Sequence, residues 1–156
     1  MDNRRVQATV RRAAEDDQPD IRALVRRARL NPADLHWERF VVAERDDRTV
    51  GVAQLRRHSD GATELASLVV EPEARRQGVA GRMVDALLAE ERAPVYMLID
   101  RRYVEHFARW DFAPLAPSQL PRSVRRVYRT GRVVTAMASV LRPQWIRIVP
   151  LLRPAR

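Results

Sequence analysis

The segment that most constrains this chain is SLVVEPEARRQGVAGRMVDALL, residues 67–88. It places an apolar strand, an arginine-rich turn and two glycines at a helix start in direct succession. A helix N-terminus leaves its first amides without intrahelical partners, and the macrodipole behind them favours an anion. No Ser, Thr or Asp cap stands immediately before Gly78, so the amides are open to a ligand instead. Gly78 and Gly81 remove the side chains that would hold a diphosphate away from the amides of residues 78–82, and Arg75, Arg76 and Arg82 add cationic reach. The chain has neither the G-x-G-x-x-G of dinucleotide sites nor the G-x-x-x-x-G-K-[ST] of a P-loop. On the residues alone, a tight strand-to-helix turn without a ligand also fits.

Periodicity predicts an alternation of strands and helices around this segment. Residues 6–14 read as an opening strand, followed by a helix capped by Asp17 or Asp20 with Ile21, Leu24, Val25 and Ala28 on one face. Asn31-Pro32 ends it, and a helical turn over residues 33–37 leads into a strand at 38–44. Two short turns then join strands at 48–58 and 63–70 into a meander. A helix is expected over 78–90, a strand apolar on both faces at 94–99, a helix over 102–110 and a short strand at 112–115. Residues 122–141 read as a basic amphipathic helix with a potential break at Gly131, and residues 145–149 as a final strand. The order is that of an α/β fold, a mixed central sheet flanked by helices, on a single domain of residues 1–156.

Composition narrows the function. The chain has 156 residues and no cysteine, which excludes a disulfide framework, a thiolate zinc site and a cysteine nucleophile. The cysteine-free composition suits a reducing cytoplasm. The charged N-terminal stretch lacks an apolar h-region, no run approaches a membrane span, and no metal site is expected. Every one of the 29 basic residues is arginine, which a GC-rich genome would produce. Residues 1–121 are neutral in sum, so the net charge of +9 lies wholly in residues 122–156, which hold no acidic residue. Such a block attracts anions such as nucleic acid, phosphorylated metabolites or acidic surfaces, or is a solvated face.

The chain resembles a known family at these residues. Arg75-Arg76-Gln77-Gly78-Val79-Ala80 matches the (Q/R)-x-x-G-x-(G/A) signature of the GNAT superfamily of N-acetyltransferases, and Val70-Glu71-Pro72 is similar to the V-x-P that ends its preceding strand. HFARWDF, residues 106–112, stands where the family commonly has F-Y-E-x-x-G-F. The likeness covers residues 6–115, leaving 122–156 as a basic extension. Residues 30–40 are also similar to the L-N-P-x-x-L-x-W-x-R-F pattern of small stand-alone bacterial members. The resemblance implies a GNAT-type fold and acetyl-CoA as co-substrate. By analogy, pantetheine pairs with the strand at Leu68, Val69 and Val70, and Arg75, Arg76, Gln77, Gly78, Val79, Ala80, Gly81 and Arg82 hold the diphosphate.

The implied reaction needs a neutral amine. An amine with a pKa near 10 is about three units from neutral at physiological pH, a cost of about 4 kcal/mol that a well-placed carboxylate can relieve. Histone-type members carry a glutamate eleven residues before the signature; here that position is Glu64, which also reads as an inert strand-start residue. Glu71 and Glu73, beside the turn arginines, read as ion-pair partners. The family's thiolate-protonating tyrosine aligns with Phe107, so Tyr103, one helical turn earlier, is the candidate acid, with adjacent His106 or solvent as alternatives. Asp111 stands at the family's glycine, which puts that turn's geometry in question. His36, Trp37 and His58 are candidates for the acceptor pocket by location. Three functions follow: an acetyltransferase of small-molecule or peptide amines; one acting on a ribosomal or nucleic-acid-associated protein through the basic C-terminus; or a catalytically lapsed acyl-CoA-binding module. A homodimer is compatible with each.

Overall fold

Strand β1 (Thr9–Arg12) leads through a single 3-10 turn into helix α1 (Gln18–Arg27) in the computed structural model, which describes residues 7–139 and 147–156. Asp17 occupies the N-cap position but its carboxylate does not cap the helix: it accepts from the Ala14 amide and from Arg11 Nη1, each at 2.7 Å. The bond from Arg11 is the chief cause holding the Asp17 carboxyl below the usual carboxylate range. Asp20 lies in the first turn, where negative charge suits the dipole. Ile21, Leu24 and Val25 form the buried stripe that the spacing predicts, but Ala28, expected on it too, is the exposed C-cap, because the helix ends at Arg27.

The helical turn expected over 33–37 instead falls at Trp37–Arg39, a 3-10 turn. Asn31 Oδ1 accepts from the Ala33 amide at 3.0 Å, and this local turn competes with helix at those residues. Strands β2 (Phe40–Arg45) and β3 (Arg48–Arg57) follow. They meet at Asp46 and Asp47, with φ of 52° and 57°, a pair of left-handed residues that matches the strands' twist. Strand β4 (Thr63–Val70), helix α2 (Val79–Leu88) and strand β5 (Val95–Asp100) come next. The helix expected over 102–110 is a single α turn, α3 (Val104–Phe107), between two 3-10 turns. Strand β6 is Ala113–Pro114, helix α4 (Arg122–Ser139) runs unbroken through Gly131, and strand β7 is Ile148–Arg153. The final strand therefore starts later than the expected 145–149, and residues 145 and 146 lie outside the described residues.

The strands form a mixed sheet in the order β1-β2-β3-β4-β5-β7-β6. β4 and β5 are parallel, with Thr63, Glu64 and Leu65 opposite Val95, Tyr96 and Met97; β5 and β7 are antiparallel.

The chain divides into two compact units, one of Met1–Leu55 with Ala66–Glu91, the other of Arg56–Leu65 with Arg92–Arg156. In the first, the α1 stripe packs with Phe40, Val42, Val52 and Val69, and Trp37 covers the cluster. Burying each such side chain is worth about 1.5–3 kcal/mol. In the second, Val124 and Tyr128 of α4 pack with Ala62 and Leu120, and Tyr96, Leu98, Leu115 and Ile148 close around them. The apolar face expected of the basic helix is Val124, Val127, Val134, Met137 and Leu141. Val124 is buried there, Tyr128 joins it and Val127 is half-buried, while the side chains of Val134 and Met137 and the whole of Leu141 lie outside the described residues.

Candidate functional site

The turn before α2 is built from backbone. Pro72–Ala74 forms a 3-10 turn, Arg76 takes φ 59°, and Gly78 is the N-cap of α2 at φ 72° with no side-chain cap. The first intrahelical bond is Arg82 N–H to Gly78 O at 3.1 Å, so the amides of Val79, Ala80 and Gly81 have no partner within the helix. Side chains brace the turn from behind. Arg75 Nε donates to Val70 O at 2.9 Å, and Gln77 Nε2 donates to Glu73 O at 2.9 Å. Arg82 donates to Gln77 O and Ala8 O, each at 3.2 Å. Arg82 therefore locks the loop, and Arg76 is exposed beside the helix end. Ordered amides, a left-handed glycine and an exposed guanidinium fit a diphosphate.

Glu71 is an ion-pair partner, as expected, but of Arg27 from α1, at 2.5 Å, rather than of the turn arginines. Leu68 and Val70 of β4 are half-buried and Val69 is buried. Within this strand Ser67 takes φ 55°, a left-handed conformation that costs a non-glycine residue about 1–2 kcal/mol and marks a local break in the pleat.

The second unit holds the acid-base candidates. Glu64 is 4% exposed, and His58 Nε2–H donates to Glu64 Oε2 at 2.8 Å. Arg56 Nη1 stands 3.5 Å from the same oxygen. The β3–β4 hairpin makes this cluster. Arg56 lies in β3 and His58 one residue past its end, and the backbone bond from His58 N–H to Ala62 O at 2.9 Å continues the hairpin so that both side chains reach Glu64. The sequence marked Glu64 and His58 separately; the structure joins them and adds Arg56, whose only signal was its place two residues before His58.

The other candidates are dispersed. His36 is exposed, while Trp37 is half-buried against the first unit's core and its amide donates to Gln18 Oε1 at 3.0 Å. Tyr103 is 52% exposed, with the Arg102 guanidinium 5.7 Å from its ring centre. His106 packs edge-on against Phe107 and Trp110. Asp111, at the family's glycine position, adopts the left-handed conformation itself with φ 65°. A short acidic side chain tolerates that region, so the turn keeps a glycine-like path.

Residues 36–113 match the family described as acetyltransferase (GNAT) domain. A stretch of 46 residues is 46% identical to mycothiol acetyltransferase of Rhodococcus erythropolis, covering 30% of this chain and 15% of that protein. Among solved structures, N-acetylglutamate synthase from Neisseria gonorrhoeae, complexed with coenzyme A and N-acetyl-glutamate, is similar with a TM-score of 0.73 and 23% identity, over 96% of this chain and 35% of that one. Rv2747 from Mycobacterium tuberculosis, in complex with CoA and NLQ, is similar with a TM-score of 0.67 and 25% identity over 95% and 99% of the two chains. Diaminobutyrate acetyltransferase EctA from Paenibacillus lautus, with its substrate and coenzyme A, gives a TM-score of 0.59 at 14% identity over 94% and 93%. The chain thus spans about a third of the synthase and a smaller part of the mycothiol enzyme. No helix among the described residues is long and apolar enough to cross a membrane.

Proposed function

Because the chain belongs to the GNAT acetyltransferase family, we propose that it moves the acetyl group of acetyl-CoA directly to a primary amine of a small molecule or peptide. The observation that carries this reading is the N-terminus of α2, where a left-handed Gly78 leaves the amides of Val79, Ala80 and Gly81 free of intrahelical bonds. These amides and Arg76 would hold the diphosphate. Leu68, Val69 and Val70 would offer backbone to the pantetheine arm, a role supported by the kink at Ser67.

The acid-base work falls to Glu64 and His58. With Nε2–H donated to the carboxylate, a neutral imidazole keeps Nδ1 as an acceptor, so the pair takes up the proton the amine loses as its nitrogen bonds the acetyl carbon. The carbon–sulfur bond breaks as the amide forms, and the departing thiolate takes its proton from Tyr103 or from solvent. The similar structures hold N-acetyl-glutamate in one case and the substrate L-2,4-diaminobutyric acid in another, which makes amino acids the first amines to try. His36 and Trp37 remain acceptor-side candidates by location, and the cysteine-free composition supports action in the cytoplasm.

The test is direct. Acetyl-CoA is titrated calorimetrically, and CoA release is followed with a thiol reagent, to which a chain with no cysteine adds no background. Binding together with amine-dependent release supports the transferase. Binding with no release from any amine points to the lapsed acyl-CoA-binding module, and no binding overturns both.

A further inference from the structure

Gln54 is fully buried in β3, and its side chain reaches the kinked part of β4, where Gln54 Nε2 donates to Ser67 Oγ at 3.0 Å. Its other carboxamide atom, Oε1, is buried and accepts no hydrogen bond among the described residues. The other orphaned buried side-chain atoms there are all arginine Nε atoms, each on a guanidinium with further donors; Gln54 Oε1 is an acceptor oxygen left over. An apolar side chain would fill this position without that penalty, as Val52 does two residues earlier in the same strand. Ser67 is itself 9% exposed and held at φ 55°. A strained residue, a buried pair and an unsatisfied acceptor therefore meet at one point of β4, and such a combination marks a place completed by a ligand.

We propose that Gln54, oriented by Ser67, is a ligand-binding residue whose Oε1 accepts an N–H from the bound substrate. This rests on the acetyltransferase reading above, because it takes the ligand along β4 to be a substrate of acetyl transfer. The chemistry is that of an amide or amine N–H, and two sources supply it: the amides of the pantetheine arm and the acceptor amine. Ser67 fixes the rotamer by engaging one end of the carboxamide, so the free end is presented in a single orientation. Such a site discriminates against ligands that lack the donor, because they leave the oxygen unpaired.

The experiment compares the wild type with Gln54→Leu and, as a second shape-preserving variant, Gln54→Met. Acetyl-CoA Kd is measured by calorimetry, and KM is measured for L-glutamate, L-2,4-diaminobutyrate and a short peptide with a free N-terminus. Circular dichroism and thermal midpoint report folding. The proposal expects at least one folded variant to lose about tenfold in one constant. A raised acetyl-CoA Kd identifies the pantetheine amide as donor; a raised KM with unchanged Kd identifies the acceptor amine. Where the wild type binds acetyl-CoA but acetylates none of the probes, the Kd alone decides. Folded variants with wild-type constants, or with only a shifted midpoint, overturn the proposal and give the pair a purely structural role. A wild type that binds no acetyl-CoA overturns the acetyltransferase reading, and this inference with it.

Discussion

His58 Nε2 lies 2.8 Å from Glu64 Oε2, and Arg56 approaches the same oxygen at 3.5 Å. If this pair is the proposed base, the two side chains should behave as one unit in kinetics. Glu64→Gln and His58→Gln are each expected to slow turnover by about 10²- to 10⁴-fold, with acetyl-CoA affinity little changed. The double variant should lose scarcely more than either single one, because members of one proton-transfer unit are not additive. Both losses should shrink as pH rises and the amine deprotonates unaided. Wild-type turnover in Glu64→Gln at neutral pH would return the residue to a structural role.

Gly78 caps α2 at φ 72°, and a Cβ placed there would meet Arg82 Nη1 at 3.5 Å. Space is thus available but the backbone conformation is not, since a branched side chain there costs about 1–2 kcal/mol. Gly78→Val should therefore tilt the first turn and abolish acetyl-CoA binding in calorimetry, while circular dichroism stays native. An unchanged Kd would remove the diphosphate from this turn.

Asp60, in the β3–β4 hairpin, accepts from Ser123 N–H at 3.0 Å and Ser123 Oγ at 2.7 Å, at the first turn of α4. It caps that helix from outside its own segment, and the bonds from Ser123 hold its carboxyl down at about 2. A depressed carboxyl stabilises the fold above its unfolded value, near 4, and that contribution fades as pH falls toward 2. Asp60→Ala should lower the thermal midpoint at pH 7, and the gap from wild type should narrow between pH 4 and 2. A constant gap across that window would mean the charge contributes nothing to the cap.

The basic helix presents Arg122, Arg126 and Arg129 as exposed residues at helical spacing, while Arg125 is turned inward and donates to Ser118 O and Leu120 O. Charge reversal at the three exposed positions should weaken binding to RNA or heparin with a strong salt dependence and leave acetyl-CoA affinity alone. In a narrower form, the variant raises KM for anionic acceptors only, most at low salt. If neither quantity moves, this face is solvated surface. Reversing Arg125 as well would confuse the result by breaking the loop it holds.

Local chemistry made much of this protein legible in its sequence. The α1 stripe, the hairpins, the strand–turn–helix around Gly78 and the buried face of α4 are encoded in residues three or four apart, or in turn residues whose φ is settled by their own side chains. The split of charge at residue 122 is likewise a matter of counting. Tertiary structure decided what depends on residues distant in sequence or on competing partners. Asp17 was recruited by Arg11 instead of capping its helix, and Arg82 was drawn to Ala8 O and Gln77 O instead of standing free for a ligand. Gln54 met Ser67 across 13 residues, and no periodicity singles out a glutamine within an apolar strand. Hydrogen-bond partners are chosen by three-dimensional proximity at a scale of about 3 Å. A sequence can nominate the groups that need partners, but only the folded chain determines which of them meet.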